Sequence, residues 1–137
     1  MAPQTIFVNL PVKDLDASKA FFGKLGYSAN PQFSDDTAAC VVISDTIFAM
    51  LLTEEKFASF TAPGKEISDA TRATEVLLTL SAESREKCDE LADAALAAGA
   101  TPAKEPMDLG FMYGRSFTDL DGHHWELFWM DPAATQG

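Results

Sequence analysis

The sequence is short of cations, of cysteine and of long apolar runs. Ten Lys and Arg stand against twenty-one Asp and Glu, a formal charge of −11, and a field of that sign repels nucleic-acid phosphates and anionic lipid head groups. Neither nucleic acid nor a membrane surface is expected as a partner. Cys40 and Cys88 are the only cysteines, too few and too far apart for a disulfide framework or a zinc knuckle, so both are expected to be reduced and buried. No apolar stretch approaches the roughly 18 residues of a membrane span. The opening Met-Ala-Pro-Gln-Thr has no basic region followed by an apolar run, and a cytoplasmic location is expected. No Ser or Cys stands in a recognisable nucleophile motif, and Gly110 and Gly114 are too isolated to form a phosphate loop.

What is present is 47% hydrophobic and 23% charged over 137 residues, the balance of one compact domain spanning 1–137. Ile6, Val8, Leu10 and Val12 alternate with Thr5, Phe7, Asn9 and Pro11, which predicts a strand with two different faces. Asp14 is placed to cap a helix carrying Leu15, Ser18, Phe22 and Leu25 and stopped by Gly26. Three short β-rich runs follow, at 27–33, 37–43 and 46–52. A first module of order βαβββ therefore covers about 4–53. Residues 54–73 read as a linker, with Glu54 to Phe60 as a candidate short helix.

The order then begins again over about 74–131. A strand with Val76, Leu78 and Leu80 on one face and Glu75, Leu77 and Thr79 on the other precedes a helix at 83–98, striped by Cys88, Leu91, Ala92, Ala95 and Leu96 and stopped by Gly99. Strands are expected near 101–105, 112–119 and 124–130, the last hairpin turning at Asp121-Gly122. The fold class is α+β, an internal duplication of a βαβββ unit. A unit of that size has too little core to stand alone. Its helix should cover the apolar strand face and leave the mixed face for chemistry.

The run Val8 to Leu15, with Ala20-Phe21-Phe22 and Leu25-Gly26-Tyr27, resembles the opening of the vicinal oxygen chelate superfamily. The run Gly114 to Phe117, then Asp119 to Leu127, resembles its close. That superfamily includes glyoxalase I, extradiol dioxygenases, fosfomycin resistance enzymes and bleomycin-binding proteins. Within it the chain looks most like small bacterial proteins labelled predicted lactoylglutathione lyases. The resemblance implies a glyoxalase-like half-open barrel of two modules, a homodimer, and a concave face on which four positions hold a divalent metal. Those positions are Phe7, Met50, Glu75 and Glu126 here. Phe7 has no donor atom and Met50 only a soft thioether, so a required metal is not expected. Any weakly held divalent ion would use Glu75, Glu126 and His124.

Glu75 and Glu126 are the expected catalytic pair, two carboxylates able to handle a proton on a small oxygenated substrate. Strand parity adds Phe7, Asn9, Phe48, Met50, Tyr113, Arg115, His124 and Phe128 as substrate-binding candidates, with Leu52, Thr79 and Met130 beside them. An apolar stripe of this kind is also what an ordinary core looks like. Arg115 reads either as an anchor for a substrate anion or as a salt bridge on the sheet. Two functions stay open: a glyoxalase-like lyase or isomerase using carboxylate acid/base chemistry at a degraded metal site, and a metal-independent protein that sequesters a small molecule, as bleomycin-binding relatives do.

Overall fold

The computed structural model describes residues 2–135, and Met1, Gln136 and Gly137, which the expected 1–137 domain includes, lie outside the described residues. The chain divides into two compact units with the boundary between Ser68 and Asp69, inside the segment read as a linker. Both units are mixed α+β, and neither sheet closes into a barrel.

In the first unit the alternating run forms β1 (Ile6–Val12). Asp14 caps α1 (Leu15–Lys24), its carboxylate accepting from the Ala17 amide at 3.0 Å, and Gly26 takes the positive φ of 102° that turns the chain out of the helix. β2 (Ser28–Asn30), β3 (Ala38–Val42) and β4 (Ile47–Thr53) complete a sheet of order β1-β4-β3-β2, in which β1 and β4 run parallel. The expected run 27–33 is a strand only as far as Asn30. Pro31 then starts a short 3-10 turn, capped by the Asn30 side chain. Leu10 and Val12 of β1, Ala39 and Val41 of β3, and Ala49 and Leu51 of β4 are buried together with Phe21 and Phe22 of α1. The start of the linker is ordered as α2 (Glu54–Phe60), capped by Thr53 and packed on β1 and β4.

The second unit repeats the plan. β5 (Leu77–Ser81) runs parallel to β9 (His124–Met130), and α3 (Arg85–Ala97) starts at the Ser84 cap and leaves through Gly99 at φ 112°. The order is β5-β9-β8-β6, with β8 at Met112–Thr118. The expected strand at 101–105 is broken. Only β6 (Thr101–Pro102) pairs there, and an unforeseen β7 (Met107–Asp108) resumes along the same edge of β8. Pro102 pairs with Phe117 but Met107 with Gly114, so four residues, 103–106, span a gap faced by Arg115 and Ser116 alone. This is a bulge. Pro106 has no N–H to offer a ladder, and the Lys104 amide donates instead to Ser116 Oγ at 3.1 Å.

The β8–β9 turn is built around one buried carboxylate. Asp119 accepts from the amides of Asp121 and His123, each at 3.0 Å, and from Trp125 Nε1 at 2.9 Å. Gly122 has φ 86°, and a Cβ there would lie 2.8 Å from backbone atoms of Ala70 and Thr71. Gly122→Ala is expected to cost about 3 kcal/mol or more, since it adds left-handed strain to a backbone clash; urea unfolding measures it. Burial pushes the Asp119 carboxyl above its ordinary value, against the pull of His123, Trp125 and two amides. A raised folded value favours the native state most below the ordinary carboxylate range, and that advantage fades as pH rises through the folded value. The stability gap between wild type and Asp119→Asn should therefore narrow as pH climbs from acid toward neutral, as unfolding curves across that range would read.

Candidate functional site

Side chains alternate across a strand, so the face that α3 does not cover is fixed by register. On β9, Trp125 and Leu127 are buried beneath α3 with Phe117 of β8. His124, Glu126, Phe128 and Met130 point the other way and are half-buried. Glu126 lies on the central strand with Thr79 of β5 on one side and Ser116 of β8 on the other. Its Oε1 is 3.1 Å from His124 Nε2, with the two side chains 31% and 12% exposed. Facing an ionised carboxylate, which only accepts, an imidazole donates from Nε2. The result is an acceptor whose lone pairs are partly engaged and whose open side is free for a ligand.

A shallow recess opens on this face. Gly114, Arg115, Ser116 and Glu126 line its floor, and Lys104, Glu105 and Met107, carried by the bulge and by β7, form its rim. Register puts Phe128 beside Gly114 on the neighbouring strand. Sequence reasoning named Glu126 and Arg115 among these residues and missed Lys104, Glu105, Met107, Gly114 and Ser116. The signals were a glycine inside a strand and the Lys104-Glu105-Pro106 interruption of an edge.

Glu75 is not brought to this pair by the ladder. It is exposed and precedes β5, two residues before the first rung, Leu77 opposite His124. The module symmetry makes the same point. Phe7 stands seven residues before its helix cap Asp14, and the residue seven before the cap Ser84 is Leu77.

The side chains of Tyr113 and Arg115 turn to the other face, although Arg115 also lines the recess between Gly114 and Ser116. They share parity with Phe117 and turn toward α3, where Asp89 accepts from Tyr113 Oη at 2.6 Å and from Arg115 Nη1 at 2.7 Å, while Arg115 Nη2 reaches Asp93 at 3.0 Å. The hydrogen bond from Tyr113, then that from Arg115, holds the Asp89 carboxyl below its ordinary value. Of the two readings of Arg115, the salt bridge is the one built here. A second clamp lies nearby: Arg85 grips Asp108 through both guanidinium ends, at 2.9 and 2.6 Å, and Gly110 O at 3.0 Å, with the Tyr113 and Trp129 rings 4.9 and 5.4 Å away.

In the first unit, the face bearing the expected Phe7, Asn9, Phe48 and Met50 is apolar. Phe7 and Phe48 are rung partners on β1 and β4, and their rings stack with centroids 4.7 Å apart. Asn9 donates its side-chain amide to Phe7 O, 3.1 Å away. Leu52, expected to join this lining, is fully buried. Cys40 and Cys88 are free and buried, and burial raises both thiols.

The metal implied by the resemblance does not fit these residues. A catalytic divalent ion takes about three protein donors. The first unit's face supplies none beyond the Asn9 amide and the Met50 thioether, and the second supplies the His124 imidazole and the Glu126 carboxylate, with the Glu105 carboxylate out at the recess rim. Among the described residues no group of three or more His, Cys, Asp or Glu is placed to hold an ion.

A family model described as bleomycin resistance protein-like, N-terminal, matches residues 4–44. No curated protein matches the chain. Among solved structures, the chain is similar to a hypothetical protein of S. aureus, with 28% identity over 94% of this chain and 95% of that one and a TM-score of 0.76. A glyoxalase/bleomycin resistance protein/dioxygenase family enzyme of Burkholderia phytofirmans has 20% identity over 93% and 99%, with a TM-score of 0.76. A fosfomycin resistance protein of Listeria monocytogenes has 19% identity over 94% of both chains, with a TM-score of 0.66.

The assignment of Arg115 to the α3 side has a measurable consequence. Arg115→Met would leave two α3 carboxylates without their cation beside a half-buried tyrosine, at an expected cost of about 1–2 kcal/mol after discounting the exposed Asp93 arm. Urea unfolding measures it.

Proposed function

We propose that the chain is a member of the vicinal oxygen chelate superfamily, a reading its fold and the N-terminal match support, and that it binds a small organic molecule without a metal, through a hydrogen-bond donor or cationic group seated on Glu126. One observation carries this reading. Glu126 stands partly open at the floor of a recess, held by His124 Nε2 at 3.1 Å, with too few donors around it for an ion and the right chemistry for an N–H or ammonium. The charge of −11 attracts cations over a longer range. The bleomycin-resistance likeness of residues 4–44 points the same way.

The His124–Glu126 contact also favours a second reading, in which the pair moves a proton on the bound molecule. A lyase or isomerase of the glyoxalase kind needs one group to take a proton and another to return it. A carboxylate hydrogen-bonded to an imidazole has both roles within one contact. Under this reading Glu126→Gln and His124→Gln would each abolish turnover of a hemithioacetal in the presence of chelator. Under the binding reading no such turnover exists.

Thermal unfolding with and without ligand separates these readings from a metalloenzyme. A molecule at a hundredfold excess over its Kd stabilises the native state by about 2.7 kcal/mol. A panel of amine-bearing and neutral compounds should include some that raise the Tm of the wild type, with the rise lost in Glu126→Gln. Ni²⁺, Zn²⁺, Mn²⁺ and Fe²⁺ should give no saturable rise. A large saturable rise with any of these ions, abolished by Glu126→Gln, would overturn metal-independent binding.

A further inference from the structure

A glycine inside a strand weakens it, and it persists where something else needs the missing side chain. Gly114 lies in the interior of β8, and its φ is not in the left-handed region. A Cβ built there would meet only Leu127 O at 3.6 Å and Met107 Cε at 4.0 Å, both ordinary contacts. Neither backbone conformation nor crowding therefore requires glycine. Its rung neighbours are Phe128 on β9 and Met107 on β7. The Phe128 ring does not come within 4 Å of the built Cβ, so the gap is not an aromatic ring folded over a glycine.

The bulge sits directly beside this gap. Bulges re-aim side chains and recur next to binding sites. Here the bulge carries Lys104 and Glu105 to the rim, with Lys104 tied at its amide to Ser116. Among the described residues the Lys104 ammonium makes no ion pair, while Arg85 and Arg115 both do. The recess thus holds an uncommitted ammonium at its rim beside Glu105, an apolar gap over Gly114 next to Met107, and the Glu126 carboxylate on its floor, while the Arg115 guanidinium is spent on α3.

We propose that the gap over Gly114 is the seat of the ligand, and that the ligand is a small α-amino-acid-like zwitterion whose aliphatic tail lies over Gly114 beside Met107, whose carboxylate meets Lys104 and whose ammonium meets Glu126. This rests on the small-molecule reading given above and narrows it to one substrate class. The two charged groups set orientation, and the absent side chain sets the size of the tail that fits.

Norleucine, its amide and its N-acetyl derivative are matched probes: one keeps both charges, one lacks the anion and one lacks the cation. Amide-resolved NMR titration should show norleucine shifting the signals of Gly114, Ser116 and Glu126, with each neutralised derivative binding about fivefold more weakly or worse. Lys104→Met should weaken norleucine by about fivefold and leave the amide unchanged. Gly114→Val suits a strand and should keep the fold by circular dichroism while losing norleucine by about tenfold or more. Gly114→Ala, whose methyl the site accommodates, should give an intermediate loss and serves if the valine variant does not fold. The proposal is overturned if Gly114 variants bind as well as wild type, if the three probes bind alike, or if none perturbs the recess. Amine compounds that still shift Glu126 in a manner indifferent to Gly114→Val would leave the Glu126 reading standing without this one. Silence at both positions would remove the two together.

Discussion

The parallel pairing of the first and last strands of each module is the constraint from which the remaining geometry follows. Pairing β1 with β4, and β5 with β9, commits one set of alternating side chains to the helix and the other set to the open face. A slip of one residue would bury Glu126 and His124 under α3 and expose Trp125 and Leu127. The apolar burial of Trp125, Leu127 and Phe117 therefore also positions the carboxylate. Stability and site geometry are here one property of register.

The duplicated framework has diverged in chemistry while keeping its geometry. On the first unit's open face the outer rung is a stacked pair of phenylalanines. On the second unit's open face the corresponding rungs carry His124 and Glu126. Burial on the helix side constrains both modules alike, which is why Leu10, Val12, Ala49 and Leu51 correspond in kind to the apolar partners under α3. The open faces carry no such packing demand, and they are free to differ.

Much of this was legible in the sequence, and for identifiable reasons. The α+β class and the doubled order of elements were readable because period-two alternation in Ile6 to Val12, the caps at Asp14 and the stops at Gly26 and Gly99 are local signals. The face of Glu126 and His124 followed from the same alternation. Tyr113 and Arg115 were harder, because parity within a strand does not say which parity faces the helix. That is decided by the rungs to Trp129 and Leu127 and by the two aspartates of α3. The split of the strand expected at 101–105 escaped for a different reason. Its cause, two extra residues opposite Arg115 and Ser116, is visible only once a partner strand is aligned beside it. Glu75 was placed on a strand by alternation that the chain does not continue so far toward its start.

The Arg85 clamp gives the rim an acid tolerance. A cation in the first turn of α3 opposes the helix dipole, and Asp108 restores a negative charge at that end while tethering β7 to the helix. The Arg85 hydrogen bonds, followed by the Gly110 amide, hold the Asp108 carboxyl down to about 2. The tether is thus complete above the ordinary carboxylate range and lets go only as the medium sours toward that value. Until that value is approached, the bank that carries Met107 stays moored to its helix.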